Sequence, residues 1–297
     1  MLGCWRSETA TTRLIQVHAM LFSVVIPTYK RQQALGECLN CLAHYFDPGV
    51  QELLGRGIEV IVTDDGHDDS IKKFLARRYP WCSYTQGPQR GPAPNRNHGA
   101  RQASGEWIVF TDDDCLPQPG WIEAYAEFTH LYDLLEGRTS ADGARTRVDE
   151  ECPINETGGY LWSCNFAIRR ELYFQLGGFN EHFPEAAMED VELNRRINKA
   201  GLRRLFLPMA DVKHPWRSRK GLGFLRAKAR SIATYVRLHP ETARSFSLPA
   251  LLLNLLRSCK ATLSTCLAIG SVRGLARQVA LDTFASFATW RAVRGAH

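Results

Sequence analysis

Three consecutive aspartates, Asp112-Asp113-Asp114, follow directly on the apolar run WIVFT. Adjacent carboxylates repel one another and lose hydration, and a bound divalent cation removes that penalty. On an extended backbone side chains repeat every two residues, which would turn Asp112 and Asp114 the same way. Two hard oxygen ligands on one side suit Mg2+ or Mn2+, ions that fill their other positions with water or substrate phosphate. Two further polar clusters close apolar runs in the same manner. Thr28-Tyr29-Lys30 follows LFSVVIP, and Asp64-Asp65-Gly66 follows IEVIVT. A loop of solvated acids is the plainer reading of the triplet, but it does not account for the shared position after an apolar run.

The elements that must hold these clusters can be read from periodicity. Residues 21–26, 58–63 and 107–111 are short, continuous apolar runs rich in β-branched residues, the pattern of strands buried on both faces. Helices are predicted over residues 34–45, 69–79, 95–103 and 190–200, the last with Gly201 as its C-cap. A short strand is predicted over 81–85. Strands alternating with helices imply an α/β fold with a mostly parallel sheet. In such sheets ligands bind beyond the carboxyl ends of the strands. All three polar clusters therefore belong on one edge of one sheet. Residues 136–158, polar and glycine-containing, read as a mobile connection, and residues 205–207 as a short strand before Pro208. Beyond Pro215, Leu222, Leu225, Ala229, Ile232 and Val236 fall at helical spacing with basic residues between them, and two or three more helices are expected to follow.

Composition narrows the function classes. The chain has 297 residues, 44% hydrophobic and 23% charged, which excludes a disordered tail, a collagen-like chain and a small disulfide-stapled domain. Nine scattered cysteines form no disulfide framework and imply a reducing, cytoplasmic setting. Cys38 and Cys41 form a CxxC without the second pair that a zinc site wants. The first residues lack the apolar core of an export signal. The most apolar stretch, residues 245–256, has 12 uncharged residues, short of the roughly 20 that a span needs. Charge is unevenly distributed: residues 216–297 hold 14 Lys or Arg and 2 acids, whereas residues 1–215 hold 23 bases and 29 acids. A nucleic-acid binder would not be expected to have an acidic body. The division predicted is an N-terminal extension (1–20), an α/β domain (21–215) and a basic helical region (216–297) suited to an anionic membrane surface at its cytoplasmic face.

Five segments in order resemble glycosyltransferase family 2, inverting enzymes with the GT-A nucleotide-sugar fold. They are SVVIPTYKR, VTDDGHDDS, GPAPNRNHGARQASGEWIVFTDDDCLP, SCNFAIRRELYFQLGGFNE and MEDVELNRRINKAG. Lys30 stands where the family usually has Asn, and His67 where it usually has Ser. The resemblance implies a metal-dependent transfer of sugar from a nucleotide-diphosphate sugar to a hydroxyl of a glycan or lipid-linked acceptor, in cell-surface polysaccharide or glycolipid synthesis. It places Thr28 and Tyr29 at the base, Asp65 on a uracil-type imide N–H with Asp64 supporting its loop, and Asp112, Asp113 and Asp114 at the donor and metal. Asp190 would be the catalytic base and Glu189 its acceptor-side neighbour. Arg96 would support the donor, His214 would approach the metal or diphosphate, and Trp162 and Gly178 would border the acceptor. Each has a plainer alternative: a helix cap for Arg96, a dipole-favoured acid for Asp190, a core ring for Trp162 and a loop imidazole for His214. A sugar-nucleotide nucleotidyltransferase would carry a Gly-rich loop after the first strand, which PTYKRQQA is not. A non-catalytic sugar-nucleotide binder or membrane scaffold would not need Asp112, Asp114 and Asp190 together. No GxGxxG follows any strand, against a Rossmann dehydrogenase.

Overall fold

The computed structural model describes residues 21–47, 49–50, 57–183 and 185–295. The expected N-terminal extension, 1–20, lies outside the described residues. Strand β1 (Phe22–Thr28) is buried throughout, as is nearly all of β2 (Ile58–Asp64). Helix α1 (Gln32–Leu42) lies between them in the chain and α2 (Ser70–Arg78) follows β2. Then come β3 (Cys82–Gln86), α3 (Pro92–Gln102) and β4 (Trp107–Thr111). Successive strand residues point to opposite faces. Val24, Ile26, Val60, Val62 and Val109 therefore pack on one side with Leu35 and Leu39 of α1. Val25, Ile61, Ile108 and Phe110 pack on the other with Ala93 and Ala100 of α3. This double coverage is why these strands read as unbroken apolar runs.

The remaining elements extend the sheet: β5 (Leu116–Pro117), α4 (Trp121–Ala126), β6 (Leu134–Asp142), β7 (Glu150–Glu151), β8 (Asn165–Arg169), α5 (Arg170–Gln175), α6 (Glu189–Ala200), β9 (Arg204–Pro215) and β10 (Arg217–Ser218). The order is β3-β2-β1-β4-β8-β6-β9-β5, with β7 and β10 paired separately. The half β3-β2-β1-β4 is parallel. β8 runs antiparallel to both neighbours, and β6 and β9 are again parallel. The chain is α/β, as its periodicity implies.

Two segments differ from the sequence expectation. Residues 136–158 are not one mobile connection, because β6 runs through their first part between β8 and β9. Its polar character comes from residues satisfied internally. Buried Glu136 accepts N–H bonds from Gly159 (2.8 Å), Tyr160 (3.0 Å) and Leu161 (2.9 Å) and pairs with Arg204 at 2.5 Å. The strand expected at 205–207 instead spans Arg204–Pro215, with register slipping between the pairs Gly137–Leu207 and Arg138–Asp211. Pro208 cannot donate to a ladder, so it sits in that slip. The longer strand carries His214 back to the strand-end edge.

The basic C-terminal region forms α7 (Leu222–Leu238), α8 (Leu248–Ile269) and α9 (Leu275–Arg294). Ile232, Val236 and Val293 join α7 to α9. Arg277 and Arg147 pair with fully buried Asp149, and Arg219 pairs with Asp282. These contacts tie the basic helices to the body. Leu248, Leu252, Leu256, Leu263 and Leu267 of α8 face solvent. Among the described residues no helix is long and apolar enough to cross a membrane, and the cysteines are unpaired.

Candidate active site

β1, β2 and β4 deliver their ends to one edge. Thr28, Tyr29, Asp65, Arg96 and Asp112 line a hollow of about 370 Å³ there. Asp64 folds back on its own turn, its Oδ1 accepting the Gly66 N–H at 2.8 Å, and burial raises its pKa. It shapes the loop that presents Asp65. Asp65 Oδ1 accepts the Gln89 N–H at 2.6 Å and Oδ2 the Gly91 N–H at 2.7 Å. Each carboxylate oxygen keeps a second lone pair for a ligand donor. The Tyr29 ring is 50% exposed beside it. Lys30 adopts φ 56°, a left-handed position that Asn accepts more readily than Lys.

A second hollow of about 350 Å³ adjoins the first, and Arg96, Asp112, Ala186, Arg217 and Lys220 line both. Its far wall carries Trp162, Glu189, Asp190 and His214. Met188, at φ 76°, turns the chain into α6, so that Glu189 and Asp190 open its first turn, where the helix dipole favours acids. Arg96 is the post between the hollows. It is 4% exposed and contacts Asp112 Oδ1 at 2.7 Å and Glu189 Oε1 at 3.3 Å. Burial opposes the ionisation of Asp112, but the Arg96 guanidinium outweighs it and holds the carboxyl below its usual range. Glu189 moves the other way: burial and the adjacent Asp190 push it up despite Arg96. Burial also raises Asp190, against the Val191 N–H that Oδ1 accepts at 2.7 Å. Trp162 stacks on Tyr160 at 5.7 Å and shows the hollow a partly exposed face.

The triplet is not extended. Cys115 N–H bonds back to Asp112 O at 3.1 Å, and this turn sends the three carboxylates different ways. Asp112 faces Arg96. Asp113 departs from its expected place at the donor: it is fully buried and lines neither hollow. Its Oδ2 accepts the Thr28 hydroxyl at 2.7 Å, its Oδ1 meets Arg31 at 2.8 Å, and burial raises its pKa to about 7. It ties the end of β4 to the end of β1. Asp114 meets Arg31 at 2.7 Å, Arg217 at 2.6 Å and His214 at 3.7 Å. Asp114, Cys115 and His214 offer ligand atoms within 4.8 Å of one another. Asp114 Oδ1 is buried without a hydrogen-bond partner. His214 Nδ1 lies 2.9 Å from Pro215 O, which puts the proton on Nδ1, and the Nε2 lone pair accepts from the Arg217 guanidinium. Burial, and then Arg217, lower the His214 pKa, keeping the ring neutral. Within this set the partnerless Asp114 Oδ1 and the His214 imidazole are donors that suit a divalent cation, with Arg217 displaced from Nε2; burial pushes the Cys115 thiol up, and Asp112 lies outside the three-atom cluster.

Gly178 departs from its expected place at the acceptor. It borders a separate hollow at φ 66°, where a Cβ would stand 2.7 Å from Asn97 Oδ1. Asn97 in turn brackets Phe179, donating to its carbonyl at 2.8 Å and accepting its N–H at 2.9 Å. Both residues hold the chain between α5 and α6. Sequence reasoning missed Arg31, Arg217 and Lys220. The acids that Arg31 and Arg217 face lie far away in sequence, and nothing in RSRK singles out Lys220.

A family model described as Glycosyl transferase family 2 matches residues 23–134. The glycosyltransferase AglE of Haloferax volcanii is 31% identical over 217 residues, 66% of this chain and 67% of that protein. The chain belongs to glycosyltransferase family 2. The pre-mycofactocin glycosyltransferase of Mycobacterium tuberculosis, another similar protein, is 27% identical over 183 residues, 55% of this chain. The family 2 chain spans only 38% of that longer relative. Among solved structures, the mannosyltransferase PcManGT from Pyrobaculum calidifontis, in complex with GDP-Man and Mn2+, superposes with a TM-score of 0.57 at 18% identity, covering 94% of this chain and 88% of that one. At that identity the likeness speaks for the fold.

Proposed function

We propose that this family 2 chain transfers a glycosyl group from a nucleotide-diphosphate sugar to an acceptor hydroxyl in a single inverting displacement. The observation that carries the reading is the two-part cleft: Asp190 stands on one side of the Arg96–Asp112 pair, and Thr28, Tyr29 and Asp65 on the other. The base of the nucleotide enters beside Tyr29, with the spare lone pairs of Asp65 accepting an imide N–H, a group that uracil and guanine share. Its diphosphate reaches the shared wall, where Arg217 and Lys220 stand. Asp114 and His214 would hold Mg2+ or Mn2+, a cation that supplies charge stabilisation for a departing diphosphate. Asp190 takes the proton of the attacking hydroxyl. Its raised pKa makes it a better proton acceptor near neutral pH than an exposed aspartate. Burial and their mutual repulsion raise both Glu189 and Asp190, so the two carboxyls titrate as a pair beside Arg96. A sugar face rests on Trp162. One displacement requires no nucleophilic side chain.

The basic helices suggest where the acceptor is met. The leucine stripe of α8 and the basic charge of residues 216–297 together suit an interfacial helix on an anionic bilayer. The reading is therefore of a peripheral enzyme acting on a lipid-linked or surface glycan. A thermal-shift screen of UDP- and GDP-sugars, with and without Mn2+, tests the site. Stabilisation that requires both nucleotide and metal supports the reading, and indifference to every nucleotide contradicts it.

A further inference from the structure

Cys115 has no role in the transfer proposed above, yet it stands at the cation position. It follows Asp114 in the chain, and the turn that its N–H closes on Asp112 O at 3.1 Å fixes it there. A buried free thiol is ordinarily a small hydrophobe, and Cys115 does border the core on the α1 side of the sheet. Its neighbours set it apart. Its Sγ lies within 4.8 Å of a carboxylate oxygen of Asp114 and a ring nitrogen of His214, and all three residues are buried. Arg31 and Arg217 both pair with Asp114 Oδ2. That leaves Oδ1 without a hydrogen-bond partner, on a side chain only 9% exposed. This oxygen lies 3.7 Å from His214 Nε2.

One oxygen, one nitrogen and one sulfur make a mixed donor set. Mg2+ takes oxygen, and Mn2+ stands at the weak end of the divalent series. Zn2+ takes all three donor types and binds a given site of this kind more tightly than Mn2+. Zinc bonds of about 2.0–2.3 Å allow two donors of one ion to stand up to about 4.5 Å apart, so small side-chain shifts bring the three together. We propose that Asp114, Cys115 and His214 form a three-ligand Zn2+ site, with Cys115 as the ligand that makes it prefer zinc to Mg2+ and Mn2+. The inference rests on the reading of Asp114 and His214 as cation ligands, and not on the reaction. The fourth position of a tetrahedral ion remains for water or a phosphate oxygen. As the Zn–S bond forms, the Cys115 thiol gives its proton to water, because the ion's own charge deprotonates a coordinating thiol. The Arg217 guanidinium withdraws from His214 Nε2. Zn2+ therefore competes with Mn2+ for Asp114 and His214.

Co2+ is the probe for this site, because a cobalt–thiolate bond absorbs in the near ultraviolet where Zn2+ is silent. The full chain, kept reduced with a phosphine, is titrated with Co2+ and then with Zn2+, and Mn2+ binding is read by electron paramagnetic resonance. The expected result is a thiolate-to-cobalt band that Zn2+ displaces. Cys115→Ser should lose the band, and its Zn2+ affinity should fall by about 100-fold or more, since even an outer-shell partner of a metal costs about 10–100-fold. Its Mn2+ affinity should fall far less. Cys115→Ala serves as a second variant of small volume, and circular dichroism checks that each is folded. Asp114→Asn should lose both ions. A cobalt band that survives in both Cys115 variants comes from another cysteine and overturns the assignment. Equal losses of Zn2+ and Mn2+ affinity in those variants also overturn it, since they mark a merely structural role. A wild-type chain that binds Mn2+ through Asp114 without a thiolate band overturns this inference alone. One that binds neither ion overturns the cation reading of Asp114 and His214 as well.

Discussion

Replacing Glu189 by Gln tests the electrostatics at the centre of the cleft. Glu189 is 2% exposed, touches Arg96 at 3.3 Å and sits beside a second carboxylate. Burial and Asp190 together raise its pKa well above the ordinary 4.5. The folded chain thus keeps a proton that the unfolded chain releases. The stability this group contributes is fully present below pH 4.5 and is lost as pH rises towards the folded-state value. The slope reaches about 1.4 kcal/mol per pH unit while only the folded state holds the proton. Glutamine keeps an oxygen that accepts from Arg96 and has no proton to lose. Glu189→Gln is therefore expected to gain on the wild type by roughly 2–3 kcal/mol between pH 5 and pH 7. Urea unfolding at unit pH steps measures the difference directly. Parallel stability curves would refute the reasoning. So would a variant that is about 3–5 kcal/mol less stable at pH 7, the signature of breaking an ionised buried pair.

Asp190→Asn is expected to leave nucleoside-diphosphate binding near the wild-type value and to lower turnover by about 10²–10⁴-fold; unchanged turnover assigns the base to another residue. Because burial raises the Asp190 pKa, turnover should fall on the acid side at a pH above 3.8, and a profile that stays flat down to that pH contradicts the assignment. Asp114→Asn should fold normally by circular dichroism and lose Mn2+-dependent nucleotide binding, whereas full wild-type activity in EDTA would contradict a metal at Asp114 and His214. Leu256→Glu combined with Leu263→Glu should abolish salt-sensitive co-sedimentation with anionic vesicles without changing the melting temperature, since both side chains are exposed; equal sedimentation of variant and wild type removes α8 from the membrane contact.

The strand ends were legible because buried parallel strands leave an unmistakable pattern: β1, β2 and β4 are apolar on both faces and stop at polar clusters. β6 was illegible because Glu136 and its donors satisfy one another inside the protein, and polar residues so paired look like a loop in sequence. β9 was cut short at Pro208, since a strand with a register slip hides its continuation. Within the acidic triplet the residue types are identical. Only the turn closed by Cys115 on Asp112 decides that Asp113 points inward while its neighbours face Arg96 and His214. The same limit applies to Arg31 and Arg217, whose partners lie 82 to 103 positions away. Arg96 could be named from sequence, but its place between the two hollows depends on α3, β4 and α6 meeting in space.

The central claim is a metal-dependent inverting transfer with Asp190 as base, and single-turnover reaction of a nucleotide-sugar followed by NMR of the product anomer tests it most directly. The nucleotide-sugar is chosen as one that stabilises the protein with Mn2+. The account predicts that an α-linked donor yields a β-linked product, and that the reaction disappears in EDTA and in Asp190→Asn. A retained α-linkage, or transfer that persists without metal or without the Asp190 carboxylate, would contradict it.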